Sequence, residues 1–321
     1  MKKPKAIVWI DDEPKRQRTA EDLYADFINV RGKNLEQTAI ELLKGPQPEL
    51  IILDHILDKT ASTDRLFQRG STIAEAIKEQ WPSCPVVGVT NVDNVEDIDE
   101  RTKRTYDALF PFQDFSKHIK QIAAMRKGFA LVARSKIRSA RNMVALLKPP
   151  ADELDRVVAA LPDDLKKSFR DPSRASLLHS WVSHVLDRPG FLYDRLWVAT
   201  FLGLTEFGFE KVSRIFEKAK YDGVFAFADA PRWWLSRVSE VLYKQCEPET
   251  GEMSWRTGRR LPGIKKEYFS RCYVCHKEFP ETVAFIDKIS FERHAMHLKC
   301  TVLDPRCKRA LYFEDIRMMQ E

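Results

Sequence analysis

Three carboxylates and a hydroxyl fall where apolar runs end. Ala6–Ile10 runs into Asp11-Asp12-Glu13, Leu50–Leu53 ends on Asp54, and Pro85–Val89 ends on Thr90. Short apolar runs bounded by turn residues read as strands buried on both faces of a parallel sheet. In open α/β sheets, chemistry sits at the carboxyl ends of the strands. Two adjacent strands ending in acids would bring Asp11, Asp12 and Asp54 together. Their mutual repulsion calls for a divalent cation, and hard oxygen ligands of this kind suit Mg²⁺. The Thr90 hydroxyl can bond a phosphoryl oxygen.

A second group of chemically able residues lies near the C-terminus. Cys272-x-x-Cys275 is followed by His276, then by His294-x-x-His297-x-x-Cys300 and by Cys307. Two close pairs separated by about twenty residues form a zinc-finger layout. The expected ligands of one structural Zn²⁺ are Cys272, Cys275, His297 and Cys300. Four ligands close the tetrahedron and leave no position for water, which favours structure over catalysis. His294 could replace His297 or sit behind it, and Cys307 could replace Cys300. Phe279, Val283, Phe285, Ile286, Ile289 and Phe291 can form a small core around the metal. The layout resembles treble-clef or ribbon-type fingers in general.

The strand-end constellation resembles the receiver domain of two-component response regulators, over roughly residues 5–125. The residues that carry the likeness are the pair Asp11-Asp12, Asp54, Thr90 and Phe110-Pro111-Phe112, where the family has Lys-Pro-Phe. The resemblance implies that Asp54 accepts a phosphoryl group from a histidine kinase or another phosphodonor. It implies that Asp11 and Asp12 hold Mg²⁺ with Asp54, and that Thr90 follows the phosphoryl group as the switch. There are two departures. The family's lysine, which neutralises the phosphoryl oxygens, falls on Phe110, with Lys103 and Lys117 out of register. A long polar insert, 58–69, stands where the family has a short turn before a glycine, here Gly70.

These residues need a doubly wound parallel sheet to position them, and alternating patterns predict one. Strands are expected at 5–10, 28–30, 50–54, 85–89 and 108–110. Helices are expected from Pro14 through Phe27, over 35–44, over 71–80 with Ser71 as N-cap, and over 94–103. From Ser116 the pattern predicts a helix that runs on to Pro149-Pro150, free of acids, with Gly128 as a break or kink. The predicted organisation is a five-stranded receiver-like (flavodoxin-like) domain over 1–125, a basic connecting helix over 126–150, a mainly helical domain over 151–246 and a zinc-binding module over 247–321. His179 and His184 read as filler beside apolar stripes. The aromatic residues Phe201, Phe207, Phe209, Phe216, Phe225, Phe227, Trp233 and Trp234 read as core.

The 321 residues are 44% hydrophobic, enough for more than one core. No stretch approaches the roughly 20 apolar residues of a membrane span, and the basic N-terminus leads into a strand, so the expectation is a cytoplasmic protein with no membrane partner. Its six cysteines are then reduced, and the clustered ones are metal ligands. The net charge of +6 is uneven, at about −5 for residues 1–114 and about +11 beyond. The basic half, with the arginines of 255–266, suits a protein or nucleic-acid partner. No phosphate loop, nucleophile elbow or His-Glu-x-x-His pair occurs in the middle of the chain. The readings that remain are a phosphorylation-controlled regulator, a receiver-like adaptor that is never phosphorylated, and a zinc-assisted nuclease or hydrolase.

Overall fold

Each apolar run that ends on an acid or a hydroxyl is a buried strand. In the computed structural model β1 (Ile7–Asp11), β3 (Leu50–Asp54) and β4 (Val86–Thr90) are buried along their whole length, and β2 (Asp26–Asn29) and β5 (Ala108–Pro111) flank them. The structure describes residues 7–31, 33, 35–57, 69–91, 98–183, 190–247, 249, 252–285, 292–303 and 309–310. Residues 58–68 of the insert expected at 58–69, His184, Cys307, and Ile286, Ile289 and Phe291 lie outside the described residues.

The sheet order is β2-β1-β3-β4-β5, all parallel. This is the flavodoxin-like doubly wound order. Register does the positioning. Ile10 pairs with Leu53 and Asp54 with Val89, so β1, β3 and β4 deliver Asp11, Asp54 and Thr90 to one edge. Helices α1 (Gln17–Asp22), α2 (Leu35–Leu43), α3 (Gly70–Gln80) and α4 (Glu100–Lys103) connect the strands. Val8, Ile10, Ile51 and Leu53 pack against Ile73, Ala74 and Ile77 of α3.

Helix one is shorter than expected. Pro14–Arg16 form a 3₁₀ turn and α1 ends at Asp22; Tyr24 has φ 55° and is 93% exposed, and Phe27 belongs to β2. Apolar spacing alone cannot distinguish a fourth helical turn from a reversal into a strand. Ser71 is not an N-cap but lies in the first turn of α3, whose capping residue is Arg69.

The expected long basic helix is two helices. α5 (Ile119–Arg134) ends where Ser135 turns extended and its hydroxyl donates to the Leu131 carbonyl at 2.7 Å. α6 (Ala140–Ala145) then starts with Ser139 accepting from the Asn142 N–H at 3.2 Å. Gly128 neither breaks nor ends α5. Serine hydroxyls that bond the backbone compete with helix continuation.

Two compact units divide the chain, Met1–Leu146 with Leu161–Trp181, and Leu147–Ala160 with Val182–Glu321. α7 (Leu154–Ala160) belongs to the second; α8 (Asp163–Lys167) and α9 (Arg174–Trp181) belong to the first. The Arg174 guanidinium donates to the carbonyls of Val132 and Ala133 at 3.3 and 3.1 Å, capping α5 with a cation at its negative end. Ser176 of α9 donates to Asp107, which also pairs with Lys78 at 3.1 Å.

The second unit is mainly helical. β6 (Leu192–Tyr193) pairs antiparallel with β7 (Trp233–Trp234). α10 (Arg195–Phe201), α11 (Glu206–Val212) and α12 (Leu235–Cys246) enclose a core in which Phe209 meets Trp233 edge-on at 5.2 Å. Asp194 and Thr205 cap α10 and α11, each at 3.0 Å. Of the aromatic residues expected in this core, Phe207 is 55% exposed and Phe227 is only half-buried. After α13 (Ser254–Gly258) come β8 (Thr282–Phe285), β9 (Arg293–Met296), α14 (Leu298–Leu303) and β10 (Arg309–Ala310), with strand order β10-β8-β9. No helix among the described residues is long and apolar enough to cross a membrane.

Gly70 shows how tightly the site edge is built. A Cβ there would lie 2.0 Å from the backbone oxygen of Asp54. Helix propensity alone favours Gly→Ala by about 1 kcal/mol. Overpacking against backbone costs about 1–3 kcal/mol, so the clash decides the sign. Gly70→Ala should lower the midpoint of chemical unfolding; an unchanged or higher midpoint would show that the Asp54 carbonyl can move aside.

Candidate functional site

Asp11 and Asp54 are buried at the ends of β1 and β3, and Asp12 is half-buried beside them. One oxygen from each of the three lies within 4.8 Å of the others, so the group could hold a metal ion. Three convergent carboxylates are hard oxygen donors of the sort Mg²⁺ takes. Asp11 is held in place by the Trp9 indole, which donates to Oδ2 at 3.0 Å, and by the Glu13 N–H, which donates to Oδ1 at 2.8 Å. Thr90 ends β4, fully buried.

The expected gap at position 110 is real. Phe110 is buried and stacks on His118 with centroids 4.2 Å apart. Lys117 pairs with Asp114 at 2.5 Å. The cation of the site comes from elsewhere. Arg16, fully buried in the turn after Pro14, donates from Nη1 to Asp11 Oδ2 at 2.7 Å and lies 3.2 Å from Asp54 Oδ1. Its Nη2 donates to Asn91 Oδ1 at 2.5 Å, and its Cζ stands 4.5 Å from the Phe112 ring centroid. Sequence reasoning missed Arg16 and Asn91. One signal was available, since a cation in the first turn before a helix opposes the helix dipole and needs a carboxylate partner.

Burial pushes the Asp54 carboxyl up to about 7, the charge of Asp11 adds to this, and Arg16 pulls the other way. Asp54 is thus poised between acid and carboxylate, and cations beside it favour the carboxylate. The next residue, His55, is also buried, with Nδ1 3.3 Å from the Tyr106 hydroxyl.

The cysteine cluster forms in the second unit. One donor atom from each of Cys272, Cys275, His297 and Cys300 lies within 4.8 Å of the rest, and the four could hold a metal ion. Cys272 and Cys275 sit in a tight turn closed by the His276 N–H donating to the Cys272 carbonyl at 2.8 Å. His276 takes φ 58° there and is not one of the four. His297 and Cys300 come from the end of β9 and the first turn of α14. His297 Nε2 donates to the Glu278 carbonyl at 2.8 Å, which leaves Nδ1 facing Cys275 Sγ at 3.1 Å and Cys300 Sγ at 3.9 Å. Zinc bound at about 2.3 Å to sulfur and 2.0 Å to nitrogen in a tetrahedron separates the two by about 3.5 Å, so these residues fit such an ion. A metal-binding histidine commonly gives its other nitrogen to a carbonyl in this way. Burial and the neighbouring thiols push Cys300 up to about 12, while the Lys277 N–H lowers Cys275. His294 stacks on Tyr273 at 4.0 Å, outside the four.

The arginines of 255–266 are already engaged. Arg259 lies 4.1 and 4.2 Å from the ring centroids of Phe279 and Phe269, and donates to Glu278 Oε2 at 2.8 Å and to the Gly203 carbonyl at 3.2 Å. Arg260 bonds Glu252 at 2.5 Å. Arg259 and Arg260 tie parts of this unit together, while Arg256 is exposed, with its guanidinium 4.8 Å from the Trp255 ring centroid. His179 packs against Phe129 at 5.8 Å, as filler, in the first unit.

The first unit contains a five-stranded parallel α/β domain of flavodoxin-like order, the fold that receiver domains adopt, with three acids at its strand ends. Solved structures similar to the chain include the response regulator TrrA from Thermotoga maritima in complex with Mg²⁺–BeF, at 18% identity and TM-score 0.28, covering 36% of this chain and 96% of that one. The signal receiver domain of an HD domain-containing protein from Pseudomonas fluorescens is 16% identical at TM-score 0.29, covering 39% and 98%. RcsB from Salmonella typhimurium is 14% identical at TM-score 0.30, covering 54% and 90%. No family model matches the sequence, and no curated protein does.

Proposed function

We propose that this chain is an atypical response regulator. Asp54 accepts a phosphoryl group from a histidine kinase or a small phosphodonor, and Asp11, Asp12 and Asp54 hold the Mg²⁺ that neutralises the reacting oxygens. The observation that carries this reading is the meeting of three strand-end carboxylates with a buried cation at one sheet edge. In the transfer, an Asp54 oxygen bonds to phosphorus as the bond from phosphorus to the donor breaks, and the leaving group departs with the electron pair. Electrostatic stabilisation of the phosphoryl oxygens is the main task left to the protein.

The second unit carries a structural Zn²⁺ on Cys272, Cys275, His297 and Cys300. The closed set of one nitrogen and three sulfurs supports structure over hydrolysis. The partner of the basic half is nucleic acid. Lys127, Arg134, Lys136, Arg138 and Arg141 are exposed on and after α5, and such residues supply salt-sensitive phosphate contacts.

Three measurements test this reading. With acetyl phosphate and Mg²⁺, intact mass should show one phosphoryl group on the wild type and none on Asp54→Asn; no label on either would leave a receiver fold that acts without phosphorylation. Metal content by mass spectrometry should be one zinc per chain, lost in Cys272→Ser and His297→Ala and kept in His294→Ala, with chelation lowering the melting temperature. Loss in His294→Ala instead would move the third ligand. DNA or RNA affinity should fall more than about tenfold between about 50 and 200 mM salt; no binding at the lower salt would assign the basic surface to a protein.

A further inference from the structure

Arg16 is the group in this site that the receiver likeness does not explain. It is a full charge at 0% exposure. It is ion-paired to two of the three carboxylates, at 2.7 Å to Asp11 and 3.2 Å to Asp54. Phe112 and Asn91 fix its plane and its far nitrogen. Its Nε is buried without a hydrogen-bond partner. A buried guanidinium brings five N–H donors and gains most from planar, multi-oxygen acceptors. Two single carboxylate contacts and one amide do not exhaust it.

The charges point the same way. Three carboxylates and Arg16 leave a net charge of about −2, which one divalent cation cancels. A phosphoryl group on Asp54 then adds anionic oxygens, and among the described residues position 110 brings a phenyl ring and no charge to them. Arg16 already stands 3.2 Å from one Asp54 oxygen.

We propose that Arg16 replaces the lysine missing at position 110, as the cation that binds the phosphoryl oxygens on Asp54. It reaches the site from the turn after β1 and not from the end of β5. On transfer, the guanidinium exchanges its Asp11 and Asp54 contacts for phosphoryl oxygens, and Nε gains the acceptor it lacks. Asn91, next to Thr90, keeps the guanidinium aimed. This rests on the reading of Asp54 as phosphoacceptor.

The test uses the full chain with Mg²⁺, acetyl phosphate read by intact mass, and beryllofluoride binding read by fluorine NMR. Arg16→Gln keeps length and hydrogen bonding without charge. It should slow labelling roughly 100-fold, as loss of one oxyanion donor does, while Arg16→Lys should stay within about tenfold of the wild type. Circular dichroism and melting check that each variant folds. Arg16→Gln combined with Phe110→Lys should recover labelling, since the cation returns from β5. Equal labelling of wild type and a folded Arg16→Gln overturns the proposal and leaves the Asp54 reading standing. So does slow labelling that neither Arg16→Lys nor the Phe110→Lys combination restores, since Arg16 would then act through packing. If the wild type takes up neither phosphoryl nor beryllofluoride, the Asp54 reading falls and this proposal with it.

Discussion

Everything at the sheet edge depends on holding like charges together out of water. Asp11 and Asp54 are both buried, yet their carboxylates approach within hydrogen-bonding range of one guanidinium nitrogen. Removing one partner of such a buried arrangement costs about 3–5 kcal/mol, because the remaining charge is left uncompensated. The Arg16 contacts are therefore a condition of the fold as well as of any chemistry. The raised Asp54 titration is the remainder of that balance, with burial and repulsion outweighing one cation. A site tuned this way responds to added charge.

The metal cluster solves a different problem with a similar device. Among the described residues, Cys272, Ala284 and Met296 are buried around it, with Val274, Cys275 and Cys300 packed against them. So small a core needs a staple. Glu278 ties the cluster to the rest of its unit twice. Its carbonyl accepts from His297 and its carboxylate accepts from Arg259, which is held between Phe269 and Phe279. The orientation of the histidine and the seating of the arginine thus share one residue.

Sequence reading found what repeats locally and missed what closes through space. The β1, β3 and β4 runs and their terminal Asp11, Asp54 and Thr90 were legible because buried parallel strands are continuous apolar runs. The clustering of Cys272, Cys275, His297 and Cys300 was legible because Cys-x-x-Cys and His-x-x-Cys are turn-scale spacings. Arg16 was not, since besides nearby Asp11 its partners lie 38 and 75 positions further along the chain, at Asp54 and Asn91. The end of α1 was missed because Phe27 satisfies a helical stripe and a strand equally. The continuous basic helix was overcalled because serines at 135 and 139 look neutral in a periodicity count, yet one ends a helix and the other starts the next.

The aromatic residues at 110 and 112 then take on one meaning. A lysine at 110 would bring a second full charge toward an edge where Arg16 is already desolvated, and two unscreened cations repel as strongly as the carboxylates do. Phenylalanine avoids that conflict. Phe110 packs on His118, and Phe112 presents a ring to the guanidinium, a contact that favours arginine over a compact ammonium. The site thus takes its buried cation from the turn after β1 and an aromatic ring from the end of β5. A single cation thereby faces the two buried acids, Asp11 and Asp54, with an aromatic ring packed on it.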